Sequence, residues 1–220
     1  IIMGGFLKSD HKGMETDFEM RGPFTRTDPD GSGGTSIYED LKSYTASGFA
    51  WNQYEVGFVT INGKTGEPLD VVHFGGHGFD ALLALEVNAD NTQIAASGHF
   101  FGNLTFAGLP TIYSSNAETT YTDADSVPRA GWMAMSDASI VPIWAKRWPE
   151  STTLTSGMHS TVWDVAFDAT NSLLAYAAGT SIRFDDNFTM IWPEQNSADG
   201  FFHGQVALFK VATSGTKIKP

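Results

Sequence analysis

The sequence predicts an all-β fold assembled from repeated four-stranded antiparallel units. Three observations lead there. Glycine is abundant (23 residues), aromatics make up 13% of the chain and charged residues only 17%, a balance that suits turn-rich sheets better than helices. Short apolar stretches alternate with a period of two, the mark of half-buried strands. These stretches also recur in the same order, separated by Gly, Asn and Asp turns, which is the signature of a repeat architecture.

Gly57-Phe58-Val59-Thr60-Ile61 opens the clearest copy, and Gly131-Trp132-Met133-Ala134-Met135 repeats it 74 residues later. Pro68-Leu69-Asp70-Val71-Val72-His73-Phe74 recurs at the same spacing as Pro142-Ile143-Trp144-Ala145-Lys146-Arg147-Trp148. In the third strand Leu83, Leu85 and Val87 point one way and Ala84, Glu86 and Asn88 the other, and Trp163, Val165 and Phe167 follow 80 residues on. The fourth, Ile94-Ala95-Ala96-Ser97-Gly98, is matched by Ala175-Tyr176-Ala177-Ala178-Gly179 and by Ile1-Ile2-Met3-Gly4-Gly5. Its small residues allow close approach of neighbouring backbones. Gly204-Gln205-Val206-Ala207-Leu208 restarts the first strand.

The chain is therefore expected to contain the end of one unit (1–7), a long insertion (8–53), two whole units (54–115 and 130–195) and the start of another (203–220). Four-stranded units that cannot bury both faces alone, stacked side by side, are β-propeller blades, here in an incomplete ring. A β-sandwich is the alternative. The opening Ile1-Ile2-Met3 falls inside an apolar segment, which predicts a piece of a longer polypeptide.

The residues Phe74-Gly75-Gly76-His77-Gly78-Phe79-Asp80, Asn88-Ala89-Asp90-Asn91 and Ser97-Gly98-His99-Phe100 carry a resemblance to the seven-bladed β-propeller repeat family. It covers most of residues 55–108 and 130–190, although the second copy has Trp148-Pro149-Glu150 in place of Phe-Gly-Gly. The resemblance implies a fold and frequent extracellular or cell-surface use, and no single shared activity. Asn62-Gly63-Lys64-Thr65-Gly66-Glu67-Pro68-Leu69 is similar to quinoprotein dehydrogenase repeats, but those expect Trp where this chain has Asp70.

Composition excludes some functions. With 25 acidic against 13 basic residues the net charge is −12, which argues against nucleic acid or anionic lipid as partner. The absence of cysteine removes disulfides, thiolate metal sites and a Cys nucleophile. No apolar run approaches the ~20 residues of a membrane-spanning helix, so no membrane insertion is expected.

The sharpest candidate site lies in the long insertion. Asp28-Pro29-Asp30-Gly31-Ser32-Gly33-Gly34-Thr35-Ser36-Ile37-Tyr38-Glu39 has the spacing of a calcium loop. Asp28, Asp30 and Ser32 would supply oxygens at the first, third and fifth positions, Gly33 the sharp turn, the Gly34 carbonyl the seventh, Ser36 the ninth and Glu39 a bidentate twelfth. The preceding Met20-Arg21-Gly22-Pro23 breaks a helix, so a lone Ca²⁺ loop is expected and not a full helix–loop–helix hand. The competing reading is a solvated Asp/Gly/Ser turn, and the same applies to Asp123 and Asp125. Asn103-Leu104-Thr105 and Asn187-Phe188-Thr189 are glycosylation sequons after corresponding glycines; in a secretory route both could carry glycans, and the competing reading is an unmodified polar outer strand. His73, His77 and His99 cluster near the turns of one unit and are a weaker zinc candidate. Trp132, Trp144, Trp148 and Trp163 fall on strands and read as packing between units, whereas Trp51 and Trp192, near loops, could be either packing or a sugar-stacking platform.

These features predict a non-catalytic structural or binding module, secreted or at the cell surface. Its partners would be other protein chains, the remaining blades or glycans, and Ca²⁺ would be its cofactor. No catalytic residues are assigned. The alternative is a propeller enzyme, quinoprotein-like or metal-assisted, acting at the central channel. The Ala/Gly/Ser-rich strands expected nearest the axis lack Asp, Glu and Lys, which favours the module.

Overall fold

In the computed structural model the described residues are 1–8, 17–18, 41–42, 54–66, 68–76, 79–114, 128–148, 159–179 and 205–218. They form strands and turns and no helix. In chain order the strands are β1 (Ile2–Lys8), β2 (Asp17–Phe18), β3 (Leu41–Lys42), β4 (Tyr54–Ile61), β5 (Pro68–Phe74), β6 (Asp80–Val87), β7 (Gln93–Phe101), β8 (Asn103–Leu104), β9 (Ile112–Tyr113), β10 (Arg129–Asp137), β11 (Pro142–Trp148), β12 (Ser160–Phe167), β13 (Leu173–Gly179), β14 (Gln205–Val211) and β15 (Lys217–Ile218). The chain is all-β, as its composition and periodicity predict.

Three antiparallel meanders carry the architecture. The first sheet is β1-β4-β5, the middle sheet β6-β7-β10-β11 and the last sheet β12-β13-β14-β15, with β2/β3 and β8/β9 as short ribbons. By position in the four-strand pattern, β1, β7 and β13 correspond to one another as second strands, β4, β10 and β14 as third strands, and β5, β11 and β15 as fourth strands, the first sheet having only three. Apart from β15, these are stretches that match in sequence. Strands β6 and β12 are first strands, and among the described residues the first sheet has no counterpart to them.

Hydrogen bonding groups the repeat differently from the expected units 54–115 and 130–195. Strands β4 and β5 pair with β1, whereas β6 and β7 pair with β10 and β11. The long connections 9–53, 102–128 and 180–204 join hydrogen-bonded neighbours within a sheet, and the short one after Phe74 crosses between sheets. Sequence repetition carries a period but no phase, so the cut between units is invisible until the strands pair. The 74-residue alignment is also one residue out in the third strand. Phe74 lies opposite Val56, while its counterpart Trp148 lies opposite Gly131. Phe58 accordingly packs toward the middle sheet and Trp132 toward the first, since a one-residue slip turns a side chain to the other face.

The turns repeat at atomic detail. Between β6 and β7 the Asn88 side-chain oxygen accepts from the N–H groups of Thr92 (2.8 Å) and Gln93 (3.0 Å), and Asn91 takes a left-handed φ of 56°. Between β12 and β13 the Asp168 carboxylate accepts from Thr170 (2.8 Å) and Ser172 (2.9 Å), and Asn171 has φ 58°. Short side-chain acceptors that fold back onto the chain, followed by Asn at positive φ, explain why these sequences turn here. In the β10–β11 turn Ile140 holds the left-handed position (φ 61°), a conformation costing a β-branched residue about 1–3 kcal/mol. Its side chain is nonetheless buried in the core, at 4% exposure, and that burial offsets the strain.

The sheets stack in series, with the middle one covered on both faces. On one side Phe58, Phe74, Leu82, Ile94, Phe106 and Trp132 form a core with the first sheet, linked by ring contacts Phe74–Phe106 (4.9 Å) and Phe106–Trp132 (5.4 Å). On the other, Met133, Met135, Trp144 and Trp148 pack on Val162, Val165 and Ala175 of the last sheet, and Trp148 stacks on Phe209 at 4.0 Å. Double burial explains why β10 is apolar almost throughout. Strands β6 and β12 each carry a bulge, after Leu82 and after Val162. The extra residues, Leu83 and Trp163, point outward at 38% and 48% exposure. The alternation predicted for these strands therefore holds only beyond the bulge, and Trp163 is not a packing residue between sheets; Trp132, Trp144 and Trp148 are.

Candidate functional site at one end of the middle sheet

The calcium-loop residues Asp28, Asp30, Ser32, Gly34, Ser36 and Glu39 lie outside the described residues, as do Asn187, His77, Asp123, Asp125, Trp51 and Trp192. Asn103 opens β8 opposite Tyr113 and is half-buried, with its backbone and side-chain oxygen packed against Gly76. His73 and His99 are not brought together. His73 follows Val72 and precedes Phe74, both of which pack toward the middle sheet, so it lies on the opposite face of the first sheet. His99 pairs with Gly131 and faces the last sheet. Among the described residues no three His, Cys, Asp or Glu side chains converge as a metal site.

What the fold does bring together is His99, Arg129 and His159. Strand pairing aligns Gly131 with His99 and Arg129 with Phe101, placing Arg129 and His99 on the face toward the last sheet. The chain then joins Arg129 to His159 by an isolated parallel bridge. Local chemistry makes this seam close. A Cβ on Gly131 would meet the Val162 backbone nitrogen at 2.9 Å, so only glycine admits the start of β12 this near. The Gly131 N–H donates to Ser160 Oγ (2.9 Å), and that hydroxyl donates to the Trp148 carbonyl (2.6 Å), tying the two sheets. The His99 ring stacks on Phe79 at 5.5 Å and meets Phe101 edge-on.

The electrostatics follow from this placement. Burial first, and the Arg129 guanidinium second, pull His99 down to about 4. The same two causes lower His159, and burial lowers Arg129 itself. Near neutral pH the site therefore holds one cation between two uncharged imidazoles. Among the described residues no carboxylate pairs with Arg129, and its buried Nε makes no hydrogen bond; nor does the buried Nδ1 of His99. Such an array presents hydrogen-bond donors and a positive charge, and among the described residues it is not part of a group of three metal-ligating side chains.

Sequence reading groups His99 with His73 and His77 because they are near in sequence, and overlooks Arg129 and His159, each about a strand pair away. The one local signal is Arg129 itself, a lone charge opening a strand that is otherwise apolar as far as Met135. Compared with known proteins, the sequence matches no family model and no curated protein.

Proposed function

We propose that this chain is a non-catalytic structural or binding module, a set of β-propeller blades in a secreted or cell-surface protein, whose outer sheet faces dock against further sheets. The observation that carries this reading is the outer face of the last sheet. Leu208 stands opposite Tyr176 as Met135 stands opposite Ala95 one unit earlier. Met135 is fully buried between sheets, whereas Leu208 is 69% exposed and Tyr176 40%. The same pattern that buries one sheet against the next is thus repeated on a face open to water. At the other end of the stack Met3 and Leu69 are 55% and 51% exposed. Contiguous apolar surface of this kind marks an interaction site. Three sheets in series also favour stacked blades over a two-layer sandwich. The extracellular setting rests on the sequons at Asn103 and Asn187, and the calcium loop at Asp28–Glu39 would brace the long insertion.

Sedimentation velocity over a concentration series tests the reading. The chain is expected to self-associate or to bind a hydrophobic dye, and the double variant Tyr176→Lys/Leu208→Lys to do neither while keeping its β-type circular dichroism. A wild-type chain that stays monomeric at high concentration and binds no dye would refute it.

A further inference from the structure

We propose that Arg129, with His99 and His159, forms a binding site for a small oxyanion such as a phosphate, sulfate or carboxylate group, in the seam between the middle and last sheets. The chain carries 25 acidic residues, yet this half-buried guanidinium has no carboxylate beside it among the described residues, and its Nε lacks an acceptor. A buried cation without a counter-ion is costly, and a planar five-donor guanidinium is suited to an anion that supplies the missing acceptors. The backbone bridge Arg129–His159 and the strand pairing of Gly131 with His99 fix the three groups at one sheet end, on elements held by the Gly131–Ser160–Trp148 hydrogen bonds. His99 is oriented by stacking on Phe79, with its Nδ1 unsatisfied. The neutral His99 imidazole can donate one hydrogen bond, so the site needs no acidification to work. The acidic surface elsewhere weakens long-range attraction, but charges beyond ~8 Å are largely screened at physiological salt, and the local cation dominates at contact.

The probes are inorganic phosphate (tetrahedral) and acetate (planar), titrated into the intact chain by calorimetry at constant ionic strength. At least one of them should bind saturably, and the geometry of the tighter probe identifies the ligand class. Arg129→Gln should weaken binding about tenfold or more, the scale of a lost charge-assisted hydrogen bond. Arg147→Gln, which removes a guanidinium that bonds the Tyr113 carbonyl on the other face, should leave binding unchanged. Histidine side-chain NMR on the wild-type chain supplies a readout independent of whether Arg129→Gln folds. Added anion should shift the His99 and His159 resonances and raise the His99 titration midpoint above about 4. No saturable binding of either probe, equal binding by Arg129→Gln, or histidine resonances indifferent to the anion would each overturn the proposal.

Discussion

Gly98 and Gly5 occupy the same place in the repeat, at the fifth residue of the small-residue strand, and the structure predicts opposite responses to alanine. Neither has positive φ, so the backbone of both accepts a side chain. A Cβ at Gly98 would run into the Ala81 carbonyl, with Trp132 Nε1 at 3.0 Å. The Ala81 oxygen cannot retreat freely, because it accepts the buried Trp132 indole N–H at 3.1 Å and sits beside the β6 bulge. Overpacking of this kind costs about 1–3 kcal/mol, and disturbing a buried hydrogen bond about 1–3 more. A Cβ at Gly5 meets nothing within 4 Å, because the first sheet has no described strand in the place β6 fills beside Gly98. There, replacing glycine in a strand should be neutral or stabilise by up to about 0.5–1 kcal/mol. Urea denaturation of Gly98→Ala and Gly5→Ala, followed by tryptophan fluorescence, measures the difference. Gly98→Ala is expected to lose about 2–4 kcal/mol, or ~5–15 °C in Tm, relative to Gly5→Ala. If the two variants agree within about 0.5 kcal/mol, the close approach of β6 to β7 is not as described.

Other perturbations probe the core and its charges. Trp148→Ala removes the fully buried ring that stacks on Phe209 and should cost about 3–5 kcal/mol by denaturation. His99, held down to about 4 from an ordinary 6.5, takes up its proton in the unfolded chain before the folded one. Stability should therefore be undiminished above pH 6.5 and fall as pH drops from 6.5 toward 4. His99→Phe should shallow that fall, His159 leaving a remainder, and parallel stability–pH curves for wild type and variant would contradict it. Asp168 is held well below its ordinary 3.8, by Lys210 first and then by the Thr170 hydroxyl. Its stabilising share is present above pH 3.8 and lost as the solution becomes more acid. Asp168→Asn keeps a turn acceptor, as Asn88 does in the matching turn, and should differ from wild type mainly in a flatter melting profile below pH 3.8.

How much of this molecule could be read from its residues depends on the range over which each feature is specified. Strand positions were legible because Leu85 and Val87, or Val165 and Phe167, alternate within a few residues. The turn after β6 was legible because Asn88 folds back onto its own neighbours. The small-residue strand announced close packing, and Gly98 under the Ala81 carbonyl is that packing. The bulges at Leu83 and Trp163 were hidden, because an inserted residue looks like one more member of an apolar run until its partner strand is known. The candidate site was hidden for a related reason: His99, Arg129 and His159 share no motif and meet only through pairing.

The amino-acid order by itself therefore determined the all-β class, the repeat and the turn chemistry, each of which rests on interactions between residues close in sequence. Only the tertiary structure decided which strands share a sheet, which side of β10 faces which neighbour, and where the Arg129 guanidinium comes to rest beside two histidines. Those choices are made by hydrogen bonds and side-chain burial across long connections, where a strand's partner is selected by the fit of whole faces and not by any local pattern.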